Sequence, residues 1–212
     1  MVLDVPGQRF VTTPERVERR GPGRFTWFGP VEGGGRAVLT VEAGRVMGRI
    51  VTSEGLVMIE PDGVGHRAYR PLPPRTLADD VLDALPGVAS PPALGGGPVD
   101  ALFPDEFQIA LFYTPAVAAT LGDGLDVFIQ AAEDVVNDVL ANAGVEGHVR
   151  IVYRAETAYE ESGSLMTDLE RFTVVNDGYM DEVRHSLFRA GADAATLVVD
   201  RATDPAGSPT AT

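Results

Sequence analysis

In the stretch "GYMDEVRHSLFRAG", Glu182 and His185 stand three residues apart and Asp181 precedes the histidine by four, so potential ligands share one side of a helix. Glu-x-x-His on a helix is half of a di-metal carboxylate site, which needs a second copy from another helix and further carboxylates. No second copy exists in the 212 residues, so the spacing is read as a solvated helix face. His66 lies beside a Gly-rich turn and His148 opens a strand, and both are read as surface or half-buried histidines. Glu160 and Glu161 sit in a polar loop, whereas general-acid duty requires burial to hold the proton at neutral pH. There is no cysteine, which excludes disulfides, thiolate zinc sites and a cysteine nucleophile. No G-x-S-x-G, Walker loop or G-x-G-x-x-G occurs, and the glycine triplets at 33–35 and 95–97 lack a strand-to-helix context. No residue is therefore assigned a catalytic, cofactor-binding or metal-binding role.

The elements that would position such residues fall into two regions. Before residue 75, "RFTWFG", "AVLTVE", "RVMGRIVT", "LVMIEP" and "HRAYR" are short apolar runs separated by Gly-bearing connections. That pattern predicts an antiparallel meander of about five strands, with Trp27 and Phe28 as core or edge aromatics. Residues 73–105 hold much of the proline and read as a linker, with "TLADDVLDAL" the one segment able to form a helical turn or two, capped near Thr76. The apolar run "FQIALFYTP" then predicts a buried strand ended by Pro115.

Leu125, Phe128, Ile129, Ala132, Val135, Val136, Val139 and Leu140 recur at helical spacing, opposite Asp126, Gln130, Glu133, Asp134, Asn137 and Asp138. This predicts an amphipathic helix capped by Asp123 and stopped at Gly144, with the acidic side facing away from the core. A strand at "HVRIVYRA", a helix capped by Ser164, a helix through His185 and a strand at "AATLVVD" complete a β-α-β-α-α-β order. The expected class is α/β, α+β overall, with a meander domain at 1–72, a linker at 73–105, an α/β region with a mixed sheet at 106–200 and a disordered tail at 201–212.

The net charge of −14 is uneven, +3 over residues 1–75 and −17 over 76–212. An acidic surface repels phosphate, which argues against nucleic acid, while opposite signs in the two parts favour docking of the N-terminal region on the acidic one or serve solubility alone. No apolar run of membrane-spanning length is present, and "MVLDVPGQRFVTT" has neither the basic start nor the apolar stretch of a signal peptide. Localisation is left unassigned.

"FQIALFYTPAV", "AAEDVVNDVLANAGVEGHVRIVY", "AYEESGSLMTDLERF", "NDGYMDEV" and "GADAATLVV" resemble, in order and spacing, the first half of the catalytic domain of reprolysin-like zinc metallopeptidases of the peptidyl-Asp endopeptidase type, in the metzincin clan. "TWFG", "LTVEAGRVMGRI" and "MIEPDGVGHRAY" resemble the prosegment of that family. The resemblance implies zinc held by H-E-x-x-H-x-x-G-x-x-H, with histidines at relative positions 0, 4 and 10 around a Glu that activates the zinc-bound water. The histidines here are separated by 82 and 37 residues, so no ligand and no catalytic Glu carries over and no zinc is expected in this chain.

The expectation is a truncated, inactive family member; the alternatives are a non-catalytic inhibitor or folding aid for a related metallopeptidase, and an unrelated hydrolase built around His185. A strand edge left uncovered after "AATLVVD" adds an expectation of self-association. Sedimentation velocity over a range of concentrations checks it: rising average mass is expected, and a monodisperse, high-melting monomer contradicts it.

Overall fold

The structure is a computed structural model describing residues 2–5, 8–63, 65–71 and 106–200. The expected linker at 73–105, with its helical turn near Thr76, and the expected tail at 201–212 lie outside the described residues. The class is α+β. The chain divides into two compact units, one taking in residues 1–72 and 118–151, the other 73–117 and 152–212.

The first unit is built on a six-stranded antiparallel meander: β3 (Arg16–Gly21), β4 (Arg24–Pro30), β5 (Arg36–Glu42), β6 (Arg45–Thr52), β7 (Gly55–Asp62) and β8 (Gly65–Tyr69), paired in chain order. The five strands expected from the apolar runs are β4 to β8. Three more were not foreseen: β3, and the ribbon of β1 (Val2–Val5) with β2 (Gln8–Val11). Their sequences carry as much charge as apolar side chain, and it is pairing with β4, or with each other, that makes them strands.

Turn chemistry sets the register. Ala43 and Gly44 both have positive φ (49° and 82°) in a two-residue connection that places Glu42 opposite Arg45. Such a turn matches the twist of the strands it joins. Gly33, Gly34 and Gly35, with φ between 86° and 113°, close the longer β4–β5 connection.

Alternation along the strands gives the sheet two different faces. Trp27, Ala37, Leu39, Ile50, Val57 and Ile59 point to one side, where Phe10 and the half-buried Leu3 and Val5 of the ribbon complete an apolar core. On the other side lie Thr26, Arg36, Thr40 and Met47, beneath helix α2 (Leu125–Asn142). Met47 packs there with Val127, Ala131 and the half-buried Phe128.

The second unit holds β9 (Glu106–Tyr113), β11 (Ala194–Val198) parallel to it, and the end of β10 (His148–Glu156), in a three-stranded sheet of order β10-β9-β11. Its apolar core joins Ala110, Phe112, Tyr159, Met180 and Val183. Helix α1 (Pro115–Leu121) begins where the sequence reading placed only a stop. Thr114 is the cap, its Oγ1 accepting from the Val117 N–H at 3.3 Å, and Pro115 fills the first helical position, where its missing N–H costs nothing. Helix α3 (Leu165–Thr173) has Ser164 as its cap, as expected, and helix α4 (Glu182–Ala190) ends at Gly191 with φ 68°. No helix among the described residues is long and apolar enough to cross a membrane.

Two tyrosines couple folding to alkaline pH. Burial, aided by the hydrogen bond to Glu60, pushes the Tyr69 hydroxyl up to about 12, and burial with the Asp168 carboxylate also raises Tyr159. The folded chain thus holds protons that an unfolded tyrosine releases near pH 10, so this stability is fully present below pH 10 and is lost as pH rises towards 12. In a titration of tyrosinate absorbance, a component near pH 12 that is missing from Tyr69→Phe is expected, together with loss of the near-ultraviolet dichroism. Ionisation of all five tyrosines in one step near pH 10 with the fold intact contradicts this.

Candidate functional site

Asp134 and Asp138 stand one helical turn apart on α2, and the sequence pattern assigned both to the solvated side. The structure reverses that assignment: they are 3% and 2% exposed, whereas Val136 and Val139 of the apolar stripe are 43% and 48% exposed. The reason is that the sheet face under this helix is polar. Thr26 and Thr40 are directly opposite in the β4–β5 register and almost fully buried. Both hydroxyls donate to Asp134 Oδ2, Thr40 at 2.8 Å and Thr26 in a shorter bond, while Arg20 Nη2 pairs with Oδ1.

At Asp138 the guanidinium of Arg36 binds side-on, Nε to Oδ2 at 2.8 Å and Nη2 to Oδ1 at 2.7 Å. The other Arg36 arm reaches Glu15 at 2.5 Å, and Arg16 approaches Asp138 to 3.9 Å while lying 4.0 Å over the Phe28 ring. These contacts, the Asp138 hydrogen bond first, hold the Arg36 guanidinium charged well beyond its ordinary range. Each carboxylate thus meets a cation and, at Asp134, two fixed hydroxyls, which is what makes burial of the charge tolerable.

Two further polar residues of α2 face β10. Asn137 accepts from the Val149 N–H at 2.7 Å and donates to the Val149 carbonyl at 2.8 Å, and Glu133 accepts from the Ile151 N–H at 2.7 Å. Side chains thereby replace a neighbouring strand at the outer edge of β10. Asp123 is not the helix cap: Gly124 holds that position without a side-chain bond, and Asp123 pairs with Arg45 at 2.9 Å. That pair borders a cavity of about 410 Å³ lined also by Glu60, Asp62 and Arg67. Both its arginines are neutralised, Arg67 by Glu60 at 3.0 Å, so it offers no free cation for an anion.

The residues first singled out for chemistry do not converge. His66 Nε2 accepts from the Val46 N–H at 2.8 Å and so links two strands. His148 has Asn137 Nδ2 at 3.5 Å. Asp181 does not turn towards His185: its carboxylate accepts from the backbone N–H of Asn176 at 2.6 Å and Gly178 at 3.2 Å. Glu160 is exposed, but Glu161 is more than a solvated acid, because Oε1 accepts from the Thr114 hydroxyl and from the Asp200 N–H at 2.8 Å.

Among the described residues no three His, Asp or Glu side chains are grouped to hold a metal ion. A zinc-activated water needs several such donors converging on one ion.

In the second unit Asp168 is fully buried at the start of α3. Its Oδ1 accepts from Tyr159 Oη at 2.5 Å and the Ser162 N–H at 2.8 Å; Oδ2 has no partner among the described residues. Arg171, one turn along, donates to Tyr159 Oη at 3.1 Å and lies 4.2 Å over the Tyr179 ring.

Compared along its length with known proteins, the chain is 24% identical to the peptidyl-Asp metalloendopeptidase of Stenotrophomonas maltophilia strain R551-3, over 93% of this chain and 52% of that protein. The protein of the same name from strain K279a gives the same identity and coverage. That of Xanthomonas campestris pv. campestris is 29% identical over 46% of this chain and 23% of its own. The chain is metallopeptidase-like in sequence. It spans about half the length of the two relatives that match most of it. No family model matches the chain, and no solved structure matches it.

The buried acids give a stability test read by Trp27, the one tryptophan, which sits in the meander core. Asp134→Ala or Asp138→Ala leaves arginine or threonine donors without their acceptor and is expected to cost roughly 3 kcal/mol in urea unfolding. Val139→Ala on the exposed side of the same helix is expected to change stability by less than about 0.5 kcal/mol. Equal small effects at all three sites would show that burial of the acids contributes nothing.

Proposed function

We propose that this chain is a reprolysin-like, metzincin-type member of the metalloendopeptidase line it is similar to, with the meander as a prosegment-like module and residues 106–200 as the first part of a catalytic domain. On this reading the 212 residues hydrolyse no peptide by themselves, because no H-E-x-x-H is written in them. The observation that carries the reading is that similarity to the two Stenotrophomonas proteins runs through both parts, over 93% of the chain. The arrangement at α2 supports it. Arg20 and Arg36 of the meander neutralise two acids of a helix written beyond residue 106 and hold that helix in one register.

A second reading, that the chain acts as an inhibitor or folding aid for a related metallopeptidase, is favoured by the same contact. The threonine and arginine face is shaped for a helix bearing acids one turn apart, and a relative's helix of that pattern could take the place of α2.

Incubation of the purified chain with zinc and an unstructured protein substrate rich in aspartate tests the first reading. No cleavage beyond the buffer control is expected, with or without a chelator, and chelator-sensitive cleavage overturns it. Added to an active relative, the chain is expected on the second reading to slow hydrolysis in a dose-dependent way, and to lose that effect on Arg36→Glu.

A further inference from the structure

We propose that residues 1–72 stay bound to the rest of the chain after the polypeptide is cut between residues 72 and 106, so that the meander acts as a non-covalent subunit clamped on α2. Topology motivates it. Strand β8 ends at Tyr69 and α2 begins only at Leu125, yet α2 belongs to the same compact unit as the meander, whereas residues 73–117 fall in the other unit. That unit is held together across space and not by chain continuity.

The meander has what it needs to keep its shape once cut. Phe10, Trp27, Leu39, Ile50, Val57 and Ile59 fill its apolar core, and Leu3 and Val5 of the ribbon with Ala68 of β8 close the border. Among the described residues, none after Ala68 enters that core. Six strands paired in chain order, with one apolar face already covered, exceed the three or so that independent stability of a sheet requires. The binding face therefore survives the cut.

Val127, Ala131, Asp134 and Asp138 share one side of α2, and Met47, Thr26, Thr40, Arg20 and Arg36 of the sheet receive them. Arg45 adds the pair with Asp123 at 2.9 Å, just before the helix. None of these residues lies between 72 and 106. Val127, Asp134, Asp138, Thr26 and Thr40 are each at most 3% exposed, so water is excluded where the carboxylates meet their donors. Charge pairs in that condition contribute to affinity as well as to orientation. The connecting chain supplies an effective concentration on the order of 1 mM, at which even a weak contact closes. After a cut, only a dissociation constant in the micromolar range or below keeps the parts together, and a two-pronged arginine bond, two fixed hydroxyls and an apolar seam place this contact in that class.

Cutting the connecting chain therefore does not by itself uncover the acidic side of α2. Release needs a further event that destroys the strands of the meander. Retention follows from the contact alone, whereas its meaning as a step in the maturation of a peptidase rests on the prosegment-like reading above.

The test places the recognition sequence of a site-specific protease between residues 73 and 105 of the full 212-residue chain and cuts the folded protein. At about 10 μM the two pieces are expected to co-elute in gel filtration at the volume of the uncut chain, with a dissociation constant of about 1 μM or below, and to separate in denaturing urea. Arg36→Asp is expected to weaken the association at least about tenfold, and Arg36→Asp combined with Asp138→Arg to restore most of it, a rescue that mere damage to the fold would not give. Should Arg36→Asp not fold, Thr40→Val, which removes one hydroxyl from Asp134 at nearly constant shape, serves as the second variant, with severalfold weaker association expected. Separation of the wild-type pieces at about 10 μM overturns the proposal. So does association undiminished in a folded Arg36→Asp or Thr40→Val chain, or a paired exchange no tighter than Arg36→Asp alone. Pieces that fall apart would leave the proposed function standing, while chelator-sensitive cleavage of a protein substrate would sink that function and leave the clamp in place.

Discussion

Everything in the first unit is constrained by the need to keep two carboxylates charged without water. Transfer of an unpaired carboxylate into a protein interior costs several kcal/mol, so Asp134 and Asp138 can be buried only where cations and hydroxyl donors already stand at the right spacing. Strand register provides that spacing. The two-residue Ala43–Gly44 turn places Glu42 opposite Arg45 on β5 and β6, and the β4–β5 pairing sets Thr26 opposite Thr40. A slip of one residue would turn both threonines and Arg36 to the other face of the sheet and leave two charges stranded. The apolar contact beneath α2, Met47 with Val127 and Ala131, is small and non-directional, whereas the polar set accepts one helix position only. Buried ion pairs of this kind add less to stability than an apolar contact of equal size would, and their contribution here is to register.

The same helix shows how a single element can serve two needs. Asp134 and Asp138 meet the meander, while Glu133 and Asn137, one position earlier in each case, turn to the backbone of β10. A strand edge capped by an amide and a carboxylate is a poor template for another strand, since its N–H groups are already bonded. Asn137 offers both a donor and an acceptor to one residue of a strand, which an ionised aspartate of the same shape, an acceptor only, cannot do.

In the second unit, polarity is concentrated at α3 and the loop after it. Asp168, Tyr159 and Arg171 form a chain of charge, hydroxyl and charge, closed by the Tyr179 ring. Similarity to peptidyl-Asp metalloendopeptidases runs through this region. The histidines stand apart from it in their bonding. His66 is occupied in joining β6 to β8, and Asp181, which spacing alone would pair with His185, is occupied in shaping a loop.

Five strands of the meander and the β9-α2-β10-α3-α4-β11 order were legible in the sequence, because apolar periodicity and turn residues act over a few positions and need no distant partner. Ser164 was legible as a cap for the same reason. What stayed hidden was whatever depends on a partner far along the chain. Strand β3 and the ribbon became strands by pairing, and Asp123 pairs with Arg45, 78 residues away, while Gly124 takes the cap position. The acidic side of α2 reads as solvated in any one-dimensional pattern, because hydrophobic periodicity records which side chains avoid water and is silent on a charge whose counter-charge lies 102 residues earlier. The sequence by itself determined the elements and their order; only tertiary structure decided that two aspartates would be buried, since that required Thr26, Thr40, Arg20 and Arg36 to be assembled on one sheet face first.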